Sequence, residues 1–212
     1  MLSQSFNKLL FFVLFFCVQF YWSQQNTEFK SAKDYFDYQR YMLNNEFKKK
    51  FEDEPDLMKK MAIKKDFSEF MGKLDSIQNT AFIGTLIKVR NREDLSKLSL
   101  PLDQNVVENP PKTGLSDQAN YPGGINTLRQ QIADLFYSEA ILPDQKSIKT
   151  DVVFVVESDG SITSVHAEGD HFAFNRQAEI AMYLLPGKFS PTVIEGTPVR
   201  YRFRLPLAMN FE

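Results

Sequence analysis

Apolar residues recur at two different periods along this chain, close to 3.6 in the first half and close to 2 near the end. Phe29, Phe36, Leu43, Phe47 and Phe51 fall at steps of seven and four, which lines them along one stripe of an α-helix. Pro55 interrupts that stripe. A second helix is expected from about Asp56, which can cap it, with Leu57, Met61, Phe67, Phe70, Met71, Leu74 and Ile77 turned inward. Phe82-Ile83 and Leu86-Ile87 continue the helical pairing, but Gly84, Thr85 and Val89 weaken it and leave a short strand open there. Helix resumes from Arg90 to Leu98, so residues 27–98 predict a helical hairpin or small bundle.

From Leu100 to Asn120 the periodicity stops among Pro101, Pro110, Pro111 and Gly114, the texture of a linker, assigned to residues 99–120. Tyr121-Pro122-Gly123-Gly124 then forms a turn that opens a helix striped by Ile125, Leu128, Ile132, Leu135 and Phe136, and Pro143 closes the segment. Ser147 to Glu157 alternates, with Ile148, Val152, Phe154 and Val156 on one face, while Val153 and Val155 require partial cover on the other. Asp159-Gly160 makes a hairpin turn into a returning strand from Ile162 to Ala167. Asn175 can cap a helix running through Leu185, with Ala178, Ala181, Met182 and Leu185 inward and Pro186-Gly187 at its end. Glu195-Gly196 turns the chain into a last strand, where Val199, Tyr201, Phe203 and Leu205 alternate with Arg200, Arg202 and Arg204.

The order helix, strand, strand, helix, strand predicts an α+β fold. Its C-terminal unit, residues 121–212, is a two-layer domain, a three-stranded antiparallel sheet with two helices on one face, preceded by the helical hairpin or bundle.

Composition changes the picture mainly at the N-terminus. Lys8 precedes an apolar run from Leu9 to Val18, and polar Ser23-Gln24-Gln25-Asn26 follows Phe20-Tyr21-Trp22. That run has the length of a signal-peptide core and falls short of the ~20 residues that span a bilayer. Residues 1–23 are therefore expected to be a signal peptide cleaved near Ser23, with an uncleaved signal anchor as the alternative and lipidation at Cys17 opposed by the bulky Phe16. Cys17 is the sole cysteine, so removal of the signal leaves no thiol for disulfides, catalysis or metal binding. A net charge of −2 gives no general attraction to nucleic acid, and Lys48-Lys49-Lys50 is offset at once by Glu52-Asp53-Glu54.

Catalytic patterns do not emerge. His166 and His171 lie across a turn with Glu168 and Asp170 between them, a spacing that suits surface residues better than converging metal ligands. No phosphate-binding loop, nucleophile elbow or acid–base carboxylate pair is present in the sequence, so the expectation is a non-enzyme with no cofactor and no metal. Arg200, Arg202 and Arg204, about 7 Å apart on one strand face, are either simply solvated or an electropositive strip for an acidic peptide, glycan or lipid head group.

Three features taken together, Tyr121-Pro122-Gly123-Gly124 before a helix, the hairpin Val153 to Ile162, and Phe189-Ser190-Pro191 followed by Gly196 to Tyr201 and Leu205-Pro206-Leu207, resemble the TonB C-terminal domain family. The resemblance covers about Tyr121 to Leu207; Phe189 stands where that family usually has Trp, and the helical half lies outside it. It implies the periplasm of a Gram-negative cell envelope and a partner bound as an added strand, in that family the extended TonB box peptide of outer-membrane transporters. By resemblance, the receiving edge is Val199, Arg200, Tyr201, Arg202, Phe203, Arg204 and Leu205.

The expectation is thus an exported, non-enzymatic periplasmic protein that binds an extended peptide of an outer-membrane transporter or of another periplasmic protein. Two alternatives stay open: an energy transducer for transmembrane transport anchored in the inner membrane and facing the periplasm, and a cell-envelope scaffold working through its helical domain. Nucleic acid is not expected as a partner, and membrane contact requires an uncleaved N-terminus.

Overall fold

The computed structural model describes residues 26–99, 121–141 and 147–210. The signal segment with Cys17 and Trp22, the linker from Leu100 to Asn120, and Pro143 lie outside the described residues. Those described form an α+β structure.

Helix α1 spans Thr27–Asp53 and is capped by Asn26, whose side chain accepts from the Glu28 amide at 3.1 Å. Helix α2 spans Leu57–Ser99, its start fixed by Asp56 Oδ1 accepting from the Lys59 amide at 3.0 Å. At 43 residues it is about 65 Å long. The two pack as a hairpin, with Phe47 stacked on Phe67 at 4.1 Å and the Arg40 guanidinium on Asp75 and Gln78.

The α2 stripe differs from the one the spacing suggests. Leu57, Met61, Phe70 and Ile77 are exposed, whereas Leu74, Phe82, Leu86 and Val89 are buried. The first turns of α2 have only α1 to cover them, so Leu57, Met58, Met61 and Phe70 stay in water. No strand interrupts α2 at residues 82–89: Thr85 donates its hydroxyl back to the Ala81 carbonyl at 2.9 Å, and burial of Phe82, Leu86 and Val89 outweighs the local preference.

Helix α3 spans Gly124–Asp134, entered through a turn in which the Gly124 amide donates to the Tyr121 carbonyl at 2.8 Å. Gly123 sits at φ 82°, and a side chain there would meet Thr127 Oγ1 at 2.6 Å. The helix ends at Asp134, short of Leu135 and Phe136, which still pack on the core from the following turn. Strand β1 is Ser147–Val156, β2 is Ile162–Glu168, and helix α4 is Phe172–Leu184. His171, not Asn175, caps α4: its Nδ1 accepts from the Phe174 amide at 3.2 Å. Asn175 lies one turn inside and donates instead to the Gly169 carbonyl at 2.8 Å.

Strands β3, Thr192–Ile194, and β4, Thr197–Val199, form a small hairpin around Glu195 and Gly196, at φ 50° and 81°, and β5 follows as Tyr201–Asn210. The main sheet is antiparallel in the order β2-β1-β5, with Val152 opposite both Ala167 and Leu205.

Helices α3 and α4 cover one face of that sheet, burying Leu128, Ile132, Ala178, Ala181 and Met182 against Ile148, Val152, Phe154 and Val156. The hairpin docks on the other side of α4. Phe29, Phe82, Leu86 and Val89 join the same apolar cluster, and Phe29 stacks on Tyr183 at 5.3 Å. Because α4 is sandwiched, every residue from Gln177 to Leu184 is buried.

Candidate functional site

Strand β5 has the alternation its sequence demands. Tyr201, Leu205 and Leu207 are buried and Phe203 is half-buried on the helix-covered face, while Arg202, Arg204, Pro206 and Ala208 are exposed on the other. Phe203 packs on Phe154 at 5.5 Å, and the Tyr201 hydroxyl donates to the Ser190 carbonyl at 3.4 Å. Burial pushes the Tyr201 phenol up to about 12, so this hydroxyl stays protonated and anchored in the core.

The structure redraws the limits of this strand. Val199 belongs to β4, paired with Thr192, and Arg200 stands between the two strands. The strand then runs on past Leu205 to Asn210. Of the seven residues expected to form the edge, five, Tyr201 to Leu205, lie together in β5. The missed extension carries its own sequence signal, since Leu207 and Met209 keep the period of two through Pro206.

The arginine face is not a bare positive strip. Arg200 Nε lies 2.6 Å from Glu157 Oε2, and Arg204 donates to Asp151 Oδ2 at 2.6 Å across the β1–β5 ladder. Arg204's hydrogen bond holds the exposed Asp151 carboxyl below its ordinary value. Arg200 and Arg204 therefore have carboxylate partners, Glu157 just past the end of β1 and Asp151 within it. The Arg204–Asp151 pair is exposed and the Arg200–Glu157 pair partly buried, and both offset the positive charge of this face.

More telling is the contrast between the two outer strands. On β2 the outward amides are taken by side chains. Val165 donates to the Tyr183 hydroxyl at 3.3 Å, Ala167 to Glu179 Oε1 at 2.8 Å, and Ser164 to Glu93 Oε2 at 3.0 Å. Ser164 adopts φ 54° in a bulge where the β1–β2 register slips between Val153 and Val155. Such a bulge twists an edge away from regular pairing.

β5 has one paired side and one open side. Because Ala167 points its amide away from β1, its partner Val152 points toward β5, which makes Val152 and Leu205 a hydrogen-bonded pair. Alternation then turns the backbone groups of Arg202, Arg204 and Ala208 outward, and gives proline at 206, which has no amide to donate, the position where none is needed for the ladder. Among the described residues no strand pairs with that outer side. Alongside it, Ile132, Ala133, Phe136, Phe174, Leu207 and Met209 line an apolar groove of about 100 Å³ with Arg129 at its rim.

The histidines do not converge. His171 caps α4, and His166 Nδ1 lies 3.3 Å from Arg90 Nη2 and 3.6 Å from Glu179 Oε1. Among the described residues no group of three His, Cys, Asp or Glu side chains is placed to hold a metal ion. Nor is any described helix long and apolar enough to cross a membrane.

Together these features define a two-layer α+β module whose sheet has one edge capped by side chains and one edge along which no described strand lies. Neither a protein-family model nor a curated protein matches the chain. Among solved structures it is similar to the NMR solution structure of the TonB C-terminal domain of Helicobacter pylori, at 18% identity and a TM-score of 0.25 over 49% of this chain and 98% of that one. A score that low transfers no geometry from one molecule to the other.

Proposed function

We propose that this chain is an exported, non-enzymatic binding protein that receives an extended peptide as an added strand along β5. The observation that carries the reading is the asymmetry of the sheet: β2 has its outward amides capped by side chains, whereas no described strand lies along the outer side of β5, toward which the amides of Arg204 and Ala208 turn. A long, regular, unpaired edge is a template for another strand, and proteins that have no use for one normally blunt it. Main-chain hydrogen bonds would supply affinity, and the groove lined by Phe136, Leu207 and Met209 would take alternate side chains. The sequence resemblance of residues 121–207 to TonB C-terminal domains supports the same mode and a periplasmic location, with the partner a transporter peptide or another envelope protein.

The test uses a random peptide library displayed on phage and selected on the full chain. Arg204→Pro removes one outward donor and places a ring on the edge without touching the β1–β5 ladder. Arg204→Ala removes only the side chain. Selected peptides should bind the Ala variant within about fivefold of wild type, since an exposed ion pair is worth at most ~1 kcal/mol, and lose tenfold or more with the Pro variant. Equal binding to the Pro variant, or no peptides recovered, contradicts the reading.

Export rests on the apolar run Leu9–Val18 behind Lys8 and the polar stretch from Ser23. Intact mass of protein from soluble periplasm should show a chain beginning near Gln24. A membrane-bound species retaining Met1 would contradict cleavage and favour the anchored transducer.

A further inference from the structure

One stripe of α3 runs beside β5 and carries a charge where its apolar pattern would continue. Ile132, Ala133 and Phe136 line the groove next to Leu207 and Met209, and Arg129, one turn earlier on the same stripe, lines it too. Among the residues lining that groove Arg129 alone is charged or polar. The floor is aromatic: Phe174 is buried and Phe136 half-buried, with their ring centres 5.3 Å apart.

Helix spacing keeps this guanidinium from a partner of its own. The residues one turn away, Ile125 and Asn126 before it and Ile132 and Ala133 after it, carry no carboxylate, and Asp134 is taken by Gln130 at 2.8 Å. No ion pair joins Arg129 to a described residue, unlike Arg200 and Arg204, whose charges Glu157 and Asp151 offset. A wider cavity of about 700 Å³ shares Arg129, Pro206, Leu207 and Ala208 with the groove. Its other charges are of both signs, Lys149 with Glu168 and Asp170 beside the Arg204-bound Asp151. Thr150, 3% exposed, brings to it a hydroxyl with no hydrogen-bond partner among the described residues.

We propose that this groove selects an acidic peptide: the strand added to β5 seats an apolar side chain against Phe136 and Met209, and an aspartate or glutamate two positions along pairs with Arg129. Alternation puts residues i and i+2 of an added strand on the same face, about 7 Å apart. Four residues of helix, the step from Arg129 to Ala133, span about 6 Å, so the two contacts recur at matching intervals. A guanidinium beside a nonpolar wall, with no carboxylate of its own, favours a carboxylate over a neutral or cationic side chain. The Thr150 hydroxyl is a second donor lining the same cavity. The inference rests on strand addition along β5 and names what that strand must carry.

Peptides selected on the full chain test it, synthesised with amidated C-termini so that any carboxylate is a side chain's. The selected sequences should share an apolar residue and an acid two positions apart. Replacing that acid by its amide should weaken binding to wild type by about threefold to fivefold, the worth of an exposed pair. The same replacement should leave binding to the exposed-site variant Arg129→Gln unchanged, and a lysine at that position should bind Arg129→Glu better than it binds wild type. Selected peptides without the acid overturn the proposal, as does a loss with Arg129→Gln that is equal for acid and amide peptides. Loss of binding on amidation overturns it too, since the chain end would then be what is recognised. Arg204→Pro keeps the two readings apart. Peptides that lose affinity with Arg204→Pro but are indifferent to Arg129 leave strand addition standing and remove its acid selectivity, whereas peptides indifferent to Arg204→Pro remove both.

Discussion

Glu93 shows how one residue's environment sets a property of the whole interface. Burial raises its carboxyl pKa above the ordinary 4.5, against the opposing hydrogen bonds of Tyr183 and the Ser164 amide. Tyr183 is pushed up in turn, first by burial and then by the adjacent carboxylate. A carboxyl with a raised folded pKa binds protons more readily folded than unfolded, so its contribution to stability is greatest below the unfolded value and falls as pH rises through the folded one. The stability of wild type relative to Glu93→Gln should therefore decline from about pH 4.5 toward neutrality, measured by urea unfolding at several pH values. A difference that is flat or grows with pH contradicts this account. Asp159 works in the opposite direction and in a lower window. Burial opposes its ionisation, but the Ser161 hydroxyl and amide and Lys188 hold it down to about 2. Its contribution is present above its ordinary 3.8 and is lost as pH falls toward about 2.

Elements differ in how far the sequence reveals them. β1, β2 and their Asp159-Gly160 turn are plain from alternation and turn chemistry. The turn is further fixed by contact: Gly160 sits at φ 81°, and a side chain there would lie 2.1 Å from the Phe189 carbonyl oxygen. The core of β5 is legible for the same reason. Its division from β4 at Arg200 is not, because Val199, Tyr201 and Phe203 keep strict alternation across the break. Helix α2 shows the reverse error. Phe82 to Val89 looks weakest as helix by local preference yet holds the best-buried residues, since packing on α4 outweighs propensity. The α4 cap is hidden in the sequence because Asn175 is the commoner capping residue, while His171 has the geometry to accept from the Phe174 amide. At the candidate site, the edge strand could be read from one sequence. The caps on β2 could not, because their members come together only in three dimensions, Glu93 lying 90 positions from Tyr183 and Arg90 89 positions from Glu179.

The whole molecule joins two kinds of structure through one apolar cluster. Phe29 alone, fully buried on Tyr183, is worth about 1.5–3 kcal/mol. The hairpin meets the sheet unit along part of its length, and the remainder, including exposed Leu57, Met58 and Met61, projects away from it. Its effect on the sheet is asymmetric: among the described residues it covers the β2 edge and not the β5 edge, so the strand addition proposed above is confined to β5. The most direct measurement of that claim is residue-resolved amide exchange on the full chain, with and without a peptide selected on it. Slowed exchange at Arg202, Arg204 and Ala208, with the ladder-facing amides of Tyr201 and Leu205 unchanged, is the predicted result. Protection gained on β2 or on the hairpin, with Arg202 and Arg204 unaffected, would contradict it.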